Sequence, residues 1–139
     1  MKKYELVMTD TVTAPYGVTL YRIRALVGIG TIAEAGDLGG YVQYESNLSH
    51  QGRAWVFDDA RVSGIARVSG NALVFGDAHV YGNARIFDDA LVFDDARVFG
   101  NARVSGDARV SGDALVFDDA RVYGNALVSG NALVDGRVR

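Results

Sequence analysis

The sequence predicts a single all-β domain built as a solenoid, and three features of residues 52–135 point to it. These residues divide into fourteen six-residue units without one insertion. The third position is alanine in every unit, and the fifth is valine in thirteen units and Ile86 in the other. The first position is always glycine or aspartate, which would interrupt a helix once in every unit. Units of fixed length that each bury one face must coil and stack, so the repeat indicates a solenoid.

Each unit has the pattern of a short strand followed by a corner. In the sequence A-x-V-x, alanine and valine point to one side of a strand and the two variable residues to the other. The glycine or aspartate of the first position, usually followed by Asn or Asp, tolerates the backbone angles of a bend. We therefore expect alanine and valine in the core, and the fourth and sixth positions on the surface.

Residues 1–51 are predicted to form a capping segment, separate from the repeat at 52–139. All the lysine, glutamate and threonine residues lie before residue 52. The stretches KYELVM and VTLYRIRALV have strand character, and APYG at 14–17 places Pro15 second in a turn. We expect a β-hairpin that covers the first coil edge. The glycines of GDLGG at 36–40 are interpreted as a turn, since a phosphate-binding loop would also need Lys and Ser or Thr.

The pattern V-x-G-N-A-x resembles the hexapeptide repeat of left-handed parallel β-helices. This resemblance implies a triangular solenoid in which three units form one coil of eighteen residues, with about five coils in this chain. Residues 35–57, AGDLGGYVQYESNLSHQGRAWVF, are similar to the segment that leads into the solenoid in YdcK-like proteins of bacterial and phage genomes. The left-handed coil and the genomic setting are implied by the resemblance alone, and the family lends no established activity.

One face of such a solenoid would carry large apolar side chains. Residues eighteen apart would stack about 4.8 Å from each other. The six apolar side chains expected to point outward from the first three coils are Trp55, Phe57, Leu73, Phe75, Leu91 and Phe93. An exposed apolar patch of several hundred Å² is typical of interaction sites. We expect this face to join copies into a dimer or trimer or to dock a partner. Aromatic stacking that only stabilises the sheet is the alternative.

Another face is predicted to be basic. Its fourth positions are all arginine, and they are Arg67, Arg85, Arg103, Arg121 and the terminal Arg139. Like charges about 5 Å apart repel by ~1 kcal/mol in water. The column therefore indicates either an acidic partner, which could be another subunit or another protein, or a solvated face.

The remaining face has a column of acids at its corners, Asp59, Asp77, Asp95 and Asp113. We expect these carboxylates to hydrogen-bond local backbone, because a calcium site needs about six or more convergent oxygens. No metal or cofactor is expected.

Catalysis is not expected, although the fold is shared with acyltransferases. Resemblance to hexapeptide acyltransferases would call for a histidine in a cleft between subunits, helped by extruded loops, and the repeat has no such loop. The two histidines are His50, beside the boundary, and His79, whose neighbours Arg61 and Arg97 should favour the neutral imidazole. Two histidines are also too few for the three zinc ligands of a γ-type carbonic anhydrase. An acyltransferase-like enzyme using His79 or His50 at a subunit interface remains an alternative.

Composition narrows the function classes further. The chain has no cysteine, so disulfides and thiolate sites are excluded. Its net charge of -3 argues against nucleic-acid binding, which usually needs a basic excess. No apolar run approaches the ~20 residues of a membrane span. A signal peptide is not expected either, which favours the cytoplasm.

These observations predict a non-catalytic protein-interaction scaffold that self-associates and binds a protein partner. Self-association could use the apolar face or the coil edge left uncapped at residue 139. A phage or mobile-element accessory protein that inhibits a host or defence protein is one specific form of this hypothesis. A filament-forming structural solenoid is a further alternative.

Overall fold

The computed structural model describes residues 2–14 and 17–139, and it confirms an all-β parallel solenoid of about five coils preceded by an antiparallel hairpin. The N-terminal segment contains β1 (Tyr4–Thr13), β2 (Thr19–Ala25), β3 (Leu38–Val42) and a 3-10 turn at Glu45–Asn47. Pro15, and with it the centre of the predicted turn, lies outside the described residues. No helical segment in the described part of the chain is long or apolar enough to cross a membrane.

The repeat forms two-residue strands on three faces, one strand per unit. Face 1 contains β4 (Trp55–Val56), β7 (Leu73–Val74), β10 (Leu91–Val92), β13 (Arg109–Val110) and β16 (Leu127–Val128). Face 2 contains β5 (Arg61–Val62), β8 (His79–Val80), β11 (Arg97–Val98), β14 (Leu115–Val116) and β17 (Leu133–Val134). Face 3 contains β6 (Arg67–Val68), β9 (Arg85–Ile86), β12 (Arg103–Val104), β15 (Arg121–Val122) and β18 (Arg137–Val138).

The core is the predicted one, because the inward residues of every coil are small and constant. Within the repeat, the alanines from Ala54 to Ala126 and the β-branched residues from Val56 to Val128 are all buried. Successive coils are joined by backbone hydrogen bonds, such as the 2.9 Å bond that Arg85 N–H donates to Ala102 O. Strands eighteen residues apart are therefore in register throughout the regular coils, for example Leu73 with Leu91.

The corners explain why aspartate replaces glycine at only some first positions. The first position has a positive φ, about +60° at both kinds of residue, for example 68° at Gly82 and 57° at Asp88. Asp58, Asp88 and Asp94 each accept a hydrogen bond from the backbone N–H of a glycine one coil further on, at 3.0–3.1 Å. Aspartate never stacks on aspartate in these columns. At these three of the four aspartates a hydrogen bond between coils thus compensates the left-handed backbone, whereas Asp118, at φ 54°, makes no such bond among the described residues.

Gly82 offers a direct test of this rule, since Gly100 follows it one coil later. We expect Gly82→Asp to lower the free energy of unfolding by less than about 1 kcal/mol, because the carboxylate can bond the N–H of Gly100. Gly82→Val should cost about 2 kcal/mol more, because a β-branched residue is strained at positive φ and gains no hydrogen bond. Urea unfolding of both variants measures the difference, and equal losses would show that the hydrogen bond contributes nothing.

The last coil departs from the repeat and corrects one sequence prediction. Arg121 pairs with Arg137, and Arg121 N–H donates to Gly136 O at 2.8 Å, where earlier coils use an alanine carbonyl. A regular unit would have two corner residues at this point, and the last coil lacks them: the chain passes directly from Asp135 to Gly136, which takes the place of an alanine. The prediction that Arg139 continues the arginine column was wrong: Arg137 occupies that place.

The solenoid pairing begins before the regular repeat. Tyr41 of β3 pairs in parallel with Arg61, and Leu48 forms a bridge with Val68, each offset by twenty residues rather than eighteen. The interpretation of GDLGG as a turn was wrong for its last three residues, which belong to β3. Gly39 and Gly40 are required there by space, because a Cβ would lie 2.5 Å from Val56 O or 2.6 Å from Ala60 O.

Three separate groups satisfy the carbonyls at the top of the first regular coil. On face 1, Lys3 Nζ donates to Ala54 O at 2.7 Å and lies 3.4 Å from Gly52 O. At the equivalent carbonyls before face 3, Asn47 Nδ2 donates to Gly64 O and Ala66 O at 3.1 and 2.8 Å. β3, which continues the sheet of the β1–β2 hairpin, therefore covers the face 2 edge by strand pairing. Lys3 covers the face 1 edge, and Asn47 together with the Leu48–Val68 bridge covers the face 3 edge.

Arg22 is the third of these groups, and it bonds a carbonyl before face 2. Its Nη1 donates to Asp58 O at 3.2 Å and to Gly39 O at 2.8 Å, while Tyr41 N–H bonds Ala60 O. Its Nε also pairs with Asp10 at 3.0 Å, and its guanidinium lies 4.3 Å from the Tyr41 ring centroid. Arg22 thereby fastens the hairpin to the first regular coil.

Candidate binding faces

The arginine face is a continuous column of guanidinium groups on face 3: Arg67, Arg85, Arg103, Arg121 and Arg137. Each arginine pairs in register with the next one along the solenoid axis, so their Cα atoms follow the spacing of adjacent strands, about 4.8 Å. All five are exposed. Within residues 2–14 and 17–139, no carboxylate oxygen lies within 4.0 Å of their guanidinium nitrogens. The column is therefore a surface of unpaired positive charge.

Polar and apolar side chains form the rims of the arginine face. On one rim Asn83, Asn101 and Asp119 are linked by side-chain hydrogen bonds of 3.2 Å. Ile65 continues this rim with 79 % of its surface exposed. Phe87 lies on the opposite rim, in a groove that Ile65 and three of the arginines also line. The face thus combines a row of cations with two apolar side chains.

Trp55 is not on the surface, which corrects the predicted apolar patch. Its side chain is fully buried, in a cluster with Ile29 and Ala33 of the N-terminal segment, and Tyr4 contacts it edge to face at 6.2 Å. Trp55 points outward from its strand, as the alternation predicts, but the N-terminal segment packs over it. Among the described residues its indole N–H has no hydrogen-bond partner.

The other five residues of the predicted apolar patch are half-buried: Phe57, Leu73, Phe75, Leu91 and Phe93. Phe57 and Phe75 pack edge to face at 6.5 Å, and Phe75 stacks on Phe93 at 4.8 Å. A second column, Tyr81, Phe99 and Phe117 on face 2, stacks in the same way at 4.9 and 5.6 Å. Ring stacking between coils therefore explains the phenylalanines within one chain, and their use as an interface stays a prediction.

His79 is half-buried on face 2 and is electrostatically disfavoured as a cation. Burial lowers its pKa, and the positive charges of Arg61 and Arg97 lower it further. Ala14, Val18 and Leu20 of the hairpin line the same groove as His79. The imidazole is thus neutral at pH 7, as the sequence predicts.

His50 is held by bonds on both sides of its ring. Nδ1 accepts a hydrogen bond from Lys3 N–H at 3.0 Å, and Nε2 lies 3.3 Å from a carboxylate oxygen of Glu45. The ring also stacks on Tyr4 at 4.3 Å. The hydrogen bond from Lys2 is the main reason that the pKa of Glu45 is lowered. These contacts explain His50 as part of the cap.

The aspartate corner lies between faces 1 and 2 and consists of Asp59, Asp77, Asp95 and Asp113, all exposed. Asp59 lies 3.6 Å from Arg22. In the described parts of the chain, no cationic nitrogen comes within 4.0 Å of the other three. Over the same residues, no three acidic or histidine side chains converge as metal ligands would.

The solenoid repeat is similar to a known repeat family. A profile of the YdcK beta solenoid repeat matches residues 66–82, 96–112 and 120–136. The solenoid repeat of this chain is therefore similar to the YdcK β-solenoid repeat over these three segments. Each matched YdcK-type segment begins at a third-position alanine, Ala66, Ala96 or Ala120, so the match keeps the frame of the six-residue unit. Comparison with curated proteins finds no match for the chain.

The YdcK-type repeat predicts the interior and the corners of the solenoid. It does not predict the residues that join the cap to the first regular coil. Asn47, Lys3 and Arg22 contact backbone carbonyls 17 to 51 residues away along the chain. The one signal in the sequence is the stretch 38–51, which contains Asn47 and does not follow the six-residue pattern.

Proposed function

We propose that this protein is a non-catalytic protein-interaction scaffold whose arginine face binds an acidic protein surface. The observation that carries the proposal is the in-register column of exposed arginines without a carboxylate partner among the described residues. Neighbouring guanidinium groups at this spacing repel by ~1 kcal/mol in water. An acidic partner would replace that repulsion with attraction.

The rims of the arginine face support a protein partner. Binding surfaces commonly combine arginines with apolar side chains that become buried on contact. Ile65 is exposed beside Arg67 and Arg85, and Phe87 lies across the groove from it. A nucleic acid is less favoured, because the net charge of -3 and the aspartate corner would repel a polyanion.

Self-association belongs to the same proposal, through the half-buried apolar residues of face 1 or through the outer edges of β16, β17 and β18, which pair with no further strand among the described residues. We also propose a cytoplasmic accessory role in a phage or mobile element, in which the scaffold inhibits a host or defence protein. The support for this setting is the resemblance of the repeat to YdcK-like proteins.

Charge reversal tests the arginine face. The ligand is a fluorescein-labelled 20-residue polyglutamate, and its anisotropy is measured at 50 and 300 mM NaCl. We expect Arg85→Glu/Arg103→Glu to weaken binding about 30-fold at 50 mM NaCl, from about 1 kcal/mol lost at each site. The higher salt concentration should weaken binding by the unchanged chain, because it screens exposed charges.

The matched control is Arg97→Glu/Arg109→Glu, which makes the same charge change at fourth positions of faces 2 and 1. It should change polyglutamate affinity by less than about 3-fold. Equal losses in both variants would contradict a specific face. Tighter binding of a 20-nucleotide single-stranded DNA than of polyglutamate would contradict a protein partner, and acetyl-CoA turnover that His79→Ala removes would contradict a non-catalytic role.

A further inference from the structure

We infer that the arginine face is occupied by a second copy of this chain, which docks its aspartate corner along the face so that the two solenoid axes run parallel. This inference rests on the proposed function, because it names the partner of the same face. Three observations carry it: a common spacing, complementary unpaired charges and the positions of the two columns around the coil.

The two columns have the same spacing because both belong to one repeat. Arg67, Arg85, Arg103 and Arg121 recur once per coil, and so do Asp59, Asp77, Asp95 and Asp113. Three steps of about 4.8 Å span about 14 Å in either column. Acidic side chains on one face of an extended peptide would recur every 6.4–6.8 Å and span about 20 Å instead. A second solenoid therefore matches the arginine spacing better than a peptide strand does.

The charges on the two columns are complementary and largely unused within the chain. Arg67, Arg85, Arg103 and Arg121 have no carboxylate within 4.0 Å in the described residues, and Asp77, Asp95 and Asp113 have no cation there. His79 and Arg97 lie beside the aspartate corner in the same groove, but Leu115 replaces a cation in the next coil. Several charge pairs formed together in one groove are worth more than isolated surface ion pairs.

The topology determines the form of the assembly. The aspartate corner lies between faces 1 and 2, so in a three-faced prism it is opposite face 3, which carries the arginines. One copy therefore offers its two complementary surfaces to two different neighbours. A two-fold dimer cannot use both surfaces at once, and repetition of the contact by translation gives an open row rather than a ring.

Sedimentation velocity tests the inference on the intact chain between 5 and 200 µM. At 50 mM NaCl the weight-average sedimentation coefficient should keep rising with concentration, without a plateau at the dimer. At 500 mM NaCl it should fall to the monomer value. A monomer at 200 µM and 50 mM NaCl would overturn the inference, and so would association that salt does not change.

Complementary charge reversals identify the surfaces. Arg85→Glu/Arg103→Glu and Asp77→Arg/Asp95→Arg should each remain monomeric alone, because each removes one of the two charge signs. An equimolar mixture of the two variants should associate again, since the reversed face of one matches the reversed corner of the other. Arginine is compatible with the second position of a unit, because Arg53 occupies that position in the first unit, at the corner between faces 3 and 1. Thermal unfolding of each variant checks that it is folded.

Asp89→Arg/Asp107→Arg is the matched control, because it reverses two carboxylates at the corner between faces 3 and 1. It should associate like the unchanged chain. A mixture that stays monomeric, or a control that dissociates, would overturn the inference. A chain that is monomeric throughout but still binds polyglutamate through Arg85 and Arg103 would retain the proposed function and lose only this inference.

Discussion

Replacing Asn47 by leucine is expected to lower the free energy of unfolding by roughly 4 kcal/mol, the largest loss from any single polar side chain in the cap. Its amide is fully buried and makes four hydrogen bonds. Oδ1 accepts from the backbone N–H groups of Gln43 and Tyr44 at 3.0 and 2.7 Å, and Nδ2 donates to Gly64 O and Ala66 O. Leucine is similar in size but leaves all four backbone groups without this partner.

Asn101→Leu is the matched control, because it makes the same substitution at an exposed corner of the repeat. Among the described residues, the Asn101 side chain bonds Asn83 and Asp119 alone, at 3.2 Å. We expect its replacement to cost less than about 1 kcal/mol. Guanidinium chloride unfolding of both variants gives the comparison, and a similar loss in each would show that the carbonyls of the first regular coil do not need Asn47.

The regular coils could be predicted from the sequence because their contacts repeat at a fixed spacing. Once alanine and valine are assigned to the interior, a constant coil length determines which side chains stack. The column from Arg67 to Arg121 follows without any knowledge of distant contacts. The same reasoning failed at Arg139, because two residues are missing from the last corner and the frame shifts by two positions.

The N-terminal segment could be predicted only as a cap, because its contacts do not repeat. Trp55 occupies an outward position in the six-residue frame, but it is buried together with residues of the N-terminal segment, and Tyr4 packs against it edge to face. Gly39 and Gly40 resemble a turn in sequence, whereas their actual requirement is close approach to carbonyls of the first regular coil. No local pattern indicates that Asn47 or Lys3 will meet such carbonyls.

The cap and the binding faces are therefore under different physical constraints. The residues that hydrogen-bond the carbonyls of the first regular coil tolerate few substitutions, because no regular coil precedes those carbonyls to bond them. Away from the cap, the fourth and sixth positions accept many residues, because their side chains contact mainly solvent and the side chains stacked above and below them. A column of four identical arginines at such permissive positions is what separates face 3 from the other two faces.

The second large effect comes from Lys3: we expect the free energy of unfolding to rise between pH 8 and pH 10. Its side chain is only 4 % exposed, and burial lowers its pKa to about 8. In the unfolded chain a lysine keeps a pKa near 10.4, so the unfolded state binds more protons between these two values. Stability therefore increases with pH in this window, by up to about 3 kcal/mol. The pKa of Tyr4 is raised by burial and by Glu45, so stability should fall again above about pH 10.

Lys3→Met should remove the rise, because methionine keeps an unbranched apolar side chain and has no titrating group. Lys2→Met is the matched control. Lys2 is exposed and pairs with Glu45 at 2.9 Å, so its loss should leave the rise in place. Urea unfolding at pH 7, 8, 9 and 10 measures the free energy for all three proteins. A rise that persists in Lys3→Met would assign the titration to another group, whereas its loss in Lys3→Met alone would establish that a buried ammonium at the top of face 1 is held at a cost to stability.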